Sequence, residues 1–199
     1  KTESVKRVLH HYHCGEIVTG ENTSYAGLVG GLQQTQKTWS ITWGKYPLND
    51  RRMVVLDEAS GLAPETIAHM SGIRSSGVAE ITKIQTERTP ARVRSLWLSN
   101  PRGKRPMAAF NTGIHAIEDL IGQPEDISRF DLALTIATGE VPLSVINSSK
   151  RAKVAKRYTS ELCNRLVYWA WSRKPNQVVF CPGAEDACLT LATDLSQRY

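Results

Sequence analysis

The chain has no long apolar run and few cysteines. No stretch of about 18 consecutive apolar residues occurs, so a helix that crosses a bilayer is not expected. The cysteines lack CxxC spacing, which is typical of reduced, intracellular thiols. They are Cys14, Cys163, Cys181 and Cys188. Internal repeats and low-complexity tracts are also missing.

A cluster of histidines beside Cys14 at first suggests a metal site. It consists of His10, His11 and His13. No second pair of ligands recurs at the spacing of a zinc site, so we expect this stretch to be the solvated end of a helix.

The charge balance is moderately basic. Lys and Arg number 25 against 19 Asp and Glu, which gives a net charge of +6. This excess permits a polyanionic partner but does not require one. The 41% of hydrophobic residues is enough to bury a substantial core.

The most informative segment is Arg52–Glu58, Arg-Met-Val-Val-Leu-Asp-Glu. Its consecutive apolar residues predict a buried parallel strand, and two carboxylates follow where that strand ends. Ligands of open α/β sheets bind at this edge, and Mg²⁺ is often held there by one or two carboxylates with substrate phosphates. Taken alone, Asp57 and Glu58 are equally compatible with a metal and water-activating pair and with an acidic turn.

Periodicity predicts the elements around this strand. Helices are predicted at residues 1–13, 64–74 and 113–122 and in the tail from residue 150. Alternation predicts a hairpin with a polar tip at residues 33–43 and a second hairpin within residues 78–94.

Further strands are predicted on both sides of the acidic pair. Glu16–Thr19 is a short candidate, and Leu132–Ala137 is the last predicted strand. Between them, Val93–Pro101 is an apolar segment whose strand ends in the polar Asn100, because Pro101 blocks its continuation. Strands joined by such long connections predict a parallel sheet with helices on its faces.

These motifs, in this order, resemble those of the AAA+ ATPase module of the minichromosome maintenance (MCM) replicative helicases. Leu56-Asp57-Glu58 is similar to the Walker B motif of that family, and Leu98-Ser99-Asn100-Pro101 to its sensor 1. Ser128-Arg129-Phe130-Asp131 matches its arginine-finger motif, with four residues in order. The resemblance covers almost the whole chain, with departures at Ala59, where the family has Phe, and at Lys83-Ile84-Gln85, where it has Lys-Ala-Gly.

The resemblance implies an α/β fold, the AAA+ P-loop NTPase core, with a parallel sheet, two inserted β-hairpins and the start of a helical lid. Residues 1–140 would form the ATPase core, and residues 141–199 would form part of the lid. It further implies ATP and Mg²⁺ as cofactors.

The resemblance also implies roles for the residues around the acidic pair. Lys1 and Thr2 match the final Lys-Thr of a Walker A loop, so Lys1 would contact phosphate. Thr2 and Asp57 would bind Mg²⁺, Glu58 would activate water, and Asn100 would orient that water. For Asn100 the alternative is a polar residue that only ends a strand before Pro101.

Arg129 would reach the nucleotide of a neighbouring subunit, which implies a ring, expected to be a hexamer. Its alternative role is a surface ion pair with Asp126 or Asp131. Lys37 and Lys83, at the hairpin tips, are candidates for contacts with the DNA backbone, although a lysine on a turn is usually only solvated.

The implied activity is that of an ATP-dependent DNA helicase or translocase, intracellular and associated with DNA. The alternative is a non-helicase AAA+ remodelling ATPase of the magnesium-chelatase or MoxR type, which shares the two hairpins. A third possibility is a catalytically dead fragment that only assembles or binds DNA.

The boundaries of the chain add one expectation. In the family, a glycine loop and its strand precede the Lys-Thr pair, and the sensor 2 arginine would follow Tyr199. We therefore expect the 199 residues alone to be inactive, with an incomplete sheet.

Overall fold

The computed structural model describes residues 1–35, 38–84, 86–103, 105–111, 113–137, 142, 144 and 158–198. The strands are β1 (Gly15–Thr19), β2 (Gly30–Thr35), β3 (Thr38–Trp43), β4 (Met53–Asp57), β5 (Val78–Thr82), β6 (Thr86–Pro90) and β7 (Arg94–Trp97). The helices are α1 (Thr2–Tyr12), α2 (Tyr25–Leu28), α3 (Lys45–Leu48), α4 (Pro64–His69), α5 (Ser71–Ser76), α6 (Gly113–Ile121), α7 (Pro124–Ile127), α8 (Ser160–Trp171) and α9 (Ala184–Arg198).

A parallel sheet with the strand order β1-β4-β7 lies at the centre of the fold. Gly15 pairs with Met53 and Thr19 with Asp57, while Met53 also pairs with Arg94 on the other side. The predicted parallel sheet and the buried central strand are therefore confirmed. Because all three strands run the same way, the residues that follow them meet at one edge.

Both faces of the central strand are covered. Val54 and Leu56 join a large core with α2, α4, α5 and the hairpin strands. Val55, which points the opposite way because side chains alternate along a strand, packs with Leu9 and Cys14. Burial raises the pKa of the Cys14 thiol, and this cysteine is part of the core.

The second face is built by α1 and α8. Asn164 of α8 donates from Nδ2 to the carbonyl oxygen of Tyr12 at 2.6 Å, and Ser160 Oγ lies 2.9 Å from His11 Nδ1. Val167 and Trp171 pack against the same small core. These contacts hold the C-terminal end of α1 in place, so its N-terminal end lies at the opposite edge of the sheet.

Two antiparallel hairpins project from this core, as predicted. The β2–β3 hairpin pairs Gly30 with Trp43, and the β5–β6 hairpin pairs Val78 with Pro90. Gly44 follows the first hairpin at a close approach, because a Cβ there would lie 2.5 Å from the carbonyl carbon of Leu28. A larger residue at position 44 would therefore push the hairpin away from α2.

Two predicted elements differ from the structure. Leu132–Ala137 forms no strand, and its Leu132, Leu134 and Ile136 side chains are largely exposed. A strand needs a ladder partner, and in the part of the chain that the structure describes β7 pairs only with β4. The helix predicted over residues 64–74 is two helices, α4 and α5, which meet at the buried Met70.

The helix predicted from residue 150 onward lies partly outside the described residues, because residues 145–157 are not described. Within the described ranges, no helix combines the length and the apolar character needed to cross a membrane.

Candidate active site

The acidic pair lies at the C-terminal end of β4, where the chain turns sharply. Glu58 has φ 54° and ψ 44°, a left-handed conformation that costs a non-glycine residue about 1–3 kcal/mol. Hydrogen bonds on both sides stabilise the turn: Glu58 N donates to Asp57 Oδ1 at 3.1 Å, and Ala59 N donates to the carbonyl oxygen of Leu98 at 2.9 Å. The turn leaves the Asp57 side chain half-buried and that of Glu58 exposed.

A second segment packs closely beneath this turn. A Cβ on Gly20 would lie 2.7 Å from the carbonyl oxygen of Glu58, and one on Gly61 would lie 2.3 Å from the Glu21 side chain. The chain after β1 and the chain after β4 therefore lie in contact, which fixes the backbone on one side of the acidic pair.

The N-terminus of α1 reaches the same edge. Thr2 donates from Oγ1 to Asp57 Oδ1 at 3.0 Å, across 55 positions of sequence. The helix runs back along the sheet and leads into β1, so its first residues lie beside the ends of the strands. This hydrogen bond brings together a hydroxyl and a carboxylate, and the oxygen atoms of both groups can act as metal ligands.

Asn100 comes to this edge from β7. Lys1 donates from Nζ to Asn100 Oδ1 at 2.5 Å and to the carbonyl oxygen of Ser99 at 2.6 Å. Ser99 in turn donates from Oγ to the carbonyl oxygen of Leu120 at 2.5 Å, which ties the loop after β7 to α6. Five of the site residues predicted from the sequence therefore meet at one edge: Lys1, Thr2, Asp57, Glu58 and Asn100.

The donor set at this edge fits a hydrated divalent cation with a phosphate ligand. Mg²⁺ takes oxygen ligands and usually keeps several waters, with only one or two protein ligands. Thr2 and Asp57 supply such a pair. The described residues contain no group of three or more His, Cys, Asp or Glu that could hold a metal on its own, at the histidine cluster or elsewhere.

Arg129 lies in a different environment from these five residues. Its backbone N–H donates to the carbonyl oxygen of Asp126 at 3.3 Å, and its exposed side chain donates from Nη1 to Ser75 Oγ of α5. In the part of the chain that the structure describes, its hydrogen bonds therefore join α5 and α7 and not the residues at the strand ends. Asp126 forms its ion pair with Arg74, and the ion pairs of the described residues include none between Arg129 and Asp126 or Asp131.

The sequence did not reveal that Arg74 forms a buried ion pair beside the segment that carries Arg129. Its guanidinium donates to Asp126 Oδ1 at 2.9 Å and to the Asp126 carbonyl oxygen at 2.7 Å. The two side chains are only 6% and 12% exposed. Breaking a buried pair of this kind by removing one partner usually costs about 3–5 kcal/mol.

The sequence carries no signal for this pair. Arg74 is the last-turn residue of a short helix, and 52 positions separate it from Asp126. Only the packing of α5 against α7 brings them together.

The two predicted DNA-contacting lysines differ in how far they are described. Lys83 is exposed, between β5 and β6, beside Ile84, which is 70% exposed. Lys37 lies outside the described residues, in the connection between β2 and β3. The placement of Lys83 at a hairpin tip is confirmed, and its contact with DNA stays a prediction.

A scan against protein-family models found no match, and a search of curated proteins also found none. Neither comparison therefore bears on the resemblance to the MCM family, which rests on the sequence motifs alone.

Proposed function

We propose that this chain forms the ATP-hydrolysing part of an MCM-type AAA+ motor, which works as a ring and moves along DNA. The observation that carries this proposal is the meeting of Lys1, Thr2, Asp57, Glu58 and Asn100 at one edge of a parallel sheet. These residues come from three distant segments and are of the types that phosphoryl-transfer sites use.

Each residue has a role that its position supports. Lys1, at the N-terminus of α1, is suited to bind phosphate oxygens, and the positive end of the helix dipole would add to this attraction. Asn100 Oδ1 lies beside the Lys1 ammonium and is suited to orient an attacking water. Glu58, exposed beyond Asp57, is suited to accept the proton of that water.

Thr2 and Asp57 are the residues that would hold Mg²⁺. When bound, the ion would neutralise charge on the phosphate oxygens. The Thr2–Asp57 hydrogen bond keeps both oxygen donors together at the edge of the sheet, so neither has to move far to act as a ligand.

The position of Arg129 favours a site shared between subunits. Its side chain is exposed and donates to Ser75 of α5, and no hydrogen bond among the described residues joins it to the strand-end residues. In related phosphoryl transfers, an arginine finger supplied by a neighbouring subunit raises the catalytic rate about 10³- to 10⁵-fold. A ring, for which we propose six subunits, would place each Arg129 at the next subunit's site.

The hairpins favour a polynucleotide as the partner. The exposed Lys83 stands at the tip of the second hairpin, and Lys37 stands in the corresponding connection of the first. Phosphate contacts from such tips would be electrostatic and independent of sequence, which suits a translocating motor inside the cell. A remodelling ATPase of the magnesium-chelatase or MoxR type would instead show no salt-dependent DNA binding.

The test of the catalytic proposal is Glu58→Gln in the full-length protein. We expect ATP binding to persist and ATP hydrolysis to fall by about 100-fold or more, because the general base is lost. Glu65→Gln, at an exposed carboxylate in the first turn of α4, is the matched control and should retain wild-type hydrolysis. Unimpaired turnover by Glu58→Gln would contradict the role of this residue.

A further inference from the structure

The segment that carries Arg129 is held by two neighbouring residues of α5. Arg74 donates hydrogen bonds to a side-chain oxygen and to the carbonyl oxygen of Asp126. Its neighbour Ser75 accepts a hydrogen bond from Arg129. Asp126 lies in α7, three residues before Arg129. The position of the Arg129 backbone is therefore set by a buried side chain from another helix.

The same guanidinium also connects this segment to the central sheet. Its carbon lies 4.8 Å from the centre of the Trp97 ring and 4.9 Å from that of Phe130. The two rings meet edge to face, with centroids 5.1 Å apart. Trp97 is the last residue of β7, and Phe130 directly follows Arg129. Cation–π contacts with a desolvated guanidinium are stronger than those at an exposed site.

Hydrogen bonds fix the Trp97 side of this arrangement. Trp97 donates from Nε1 to Ser95 Oγ at 2.9 Å, and Ser95 Oγ lies 2.6 Å from the hydroxyl oxygen of the buried Tyr46. Three residues after Trp97, Asn100 joins the candidate active site. One guanidinium therefore touches both the strand that leads to Asn100 and the segment that carries Arg129.

We propose that Arg74 is a positioning residue that sets the placement of Arg129 relative to the strand that carries Asn100. This inference rests on the proposed function. Only arginine can bind a carboxylate and a carbonyl with two separate nitrogens while its flat face meets aromatic rings. A lysine at position 74 would keep the charge but lose this geometry.

Electrostatics adds a reason for the arrangement. Burial lowers the pKa of Arg74 and the charge of Arg129 lowers it further, while Asp126 raises it. The two guanidinium groups therefore repel each other, and Asp126 offsets the charge of the buried one.

The experiment compares Arg74→Lys in two backgrounds of the full-length protein. As a single substitution, Arg74→Lys should lower ATP hydrolysis about 100-fold and leave ATP binding unchanged. The reason is that displacement of a catalytic group, here the Arg129 guanidinium, lowers the rate by about that factor. Added to Arg129→Ala, the same substitution should change hydrolysis by less than about twofold, because its effect requires the finger. Arg165→Lys, in an exposed pair with Glu161, is the matched control and should hydrolyse ATP as the wild type does.

The outcomes separate the two proposals. If Arg74→Lys lowers hydrolysis equally in both backgrounds, or in neither, this inference is wrong while the proposed function stands. A wild-type protein without ATPase activity would overturn both. Phe130→Leu, which removes the stacked ring but keeps the ion pair, is the second variant if Arg74→Lys fails to fold, and it should show the same dependence on Arg129.

Discussion

Asp57 and Glu58 are neighbours in sequence, but their environments differ. Asp57 accepts hydrogen bonds from Thr2 and from the Glu58 backbone, while the Glu58 side chain is exposed. The left-handed conformation at Glu58 produces this difference by turning the chain immediately after the strand. Under the proposed function, Asp57 would serve as a metal ligand and Glu58 would accept a proton, so two different roles would come from consecutive residues.

A third carboxylate, Asp50, shows how one residue can make stability depend on pH. Its Oδ1 accepts from Arg92 N at 2.7 Å and from Arg92 Nε at 3.0 Å, and its Oδ2 accepts from Arg92 Nη2 at 2.6 Å. The Arg92 side-chain hydrogen bond is the main cause of a pKa below the ordinary 3.8 for this carboxyl. Because the folded-state pKa is the lower one, the stabilisation is present above pH 3.8 and is lost as the pH falls through the folded-state value.

We therefore expect Asp50→Asn to lower the urea midpoint of unfolding near pH 7, with a smaller effect near pH 3. The physical reason is that acid protonates the wild-type carboxyl in the unfolded chain first, so part of its stabilisation is lost below pH 3.8. Urea titrations at both pH values check this, with the exposed Asp194→Asn as the control. An equal loss of stability at both pH values would show that the effect of Asp50 is not ionic.

At the scale of helices and strands, the sequence predicts the elements that follow from local hydrophobic periodicity. It does not predict those that depend on which neighbouring strand or helix is present. The central strand, both hairpins and α1 follow from periodicity, and their structure agrees with it. Leu132–Ala137 has a strand-like composition, but a strand forms only beside a partner, and composition does not reveal the partner. The Asn100–Lys1 contact could be expected from the shared sheet edge, whereas the Arg74–Asp126 pair depends on packing between two short helices.

The hairpins carry the prediction about DNA. If Lys83 and Lys37 each contact one phosphate, Lys83→Ala and Lys37→Ala should each weaken binding similarly for all sequences. Each should also reduce the slope of log K against log salt by about 0.9 on duplex DNA, because one fewer counterion is released.

Fluorescence titrations at several salt concentrations measure this slope. The exposed Lys174→Ala, in the turn after α8, serves as the control for loss of one positive charge. Unchanged slopes for both hairpin variants would mean that these lysines are only solvated.

At the scale of the whole molecule, the residues proposed for catalysis form two groups. Lys1, Thr2, Asp57, Glu58 and Asn100 are joined at the sheet edge, while Arg129 is held by α5 and α7. No hydrogen bond among the described residues joins Arg129 to the first group. Two separate groups on one chain fit a head-to-tail ring, in which each interface combines the first group of one subunit with the second group of its neighbour.

The most direct test of a site shared between subunits is ATP hydrolysis by mixed assemblies of Arg129→Ala and Glu58→Gln full-length protein. Each parent should be nearly inactive. In an equal, random mixture about a quarter of the interfaces would combine an intact carboxylate with an intact finger, so hydrolysis should rise well above both parents. If native mass spectrometry shows mixed rings but hydrolysis does not exceed the parents at any ratio, ATP is not hydrolysed between subunits by Glu58 and Arg129.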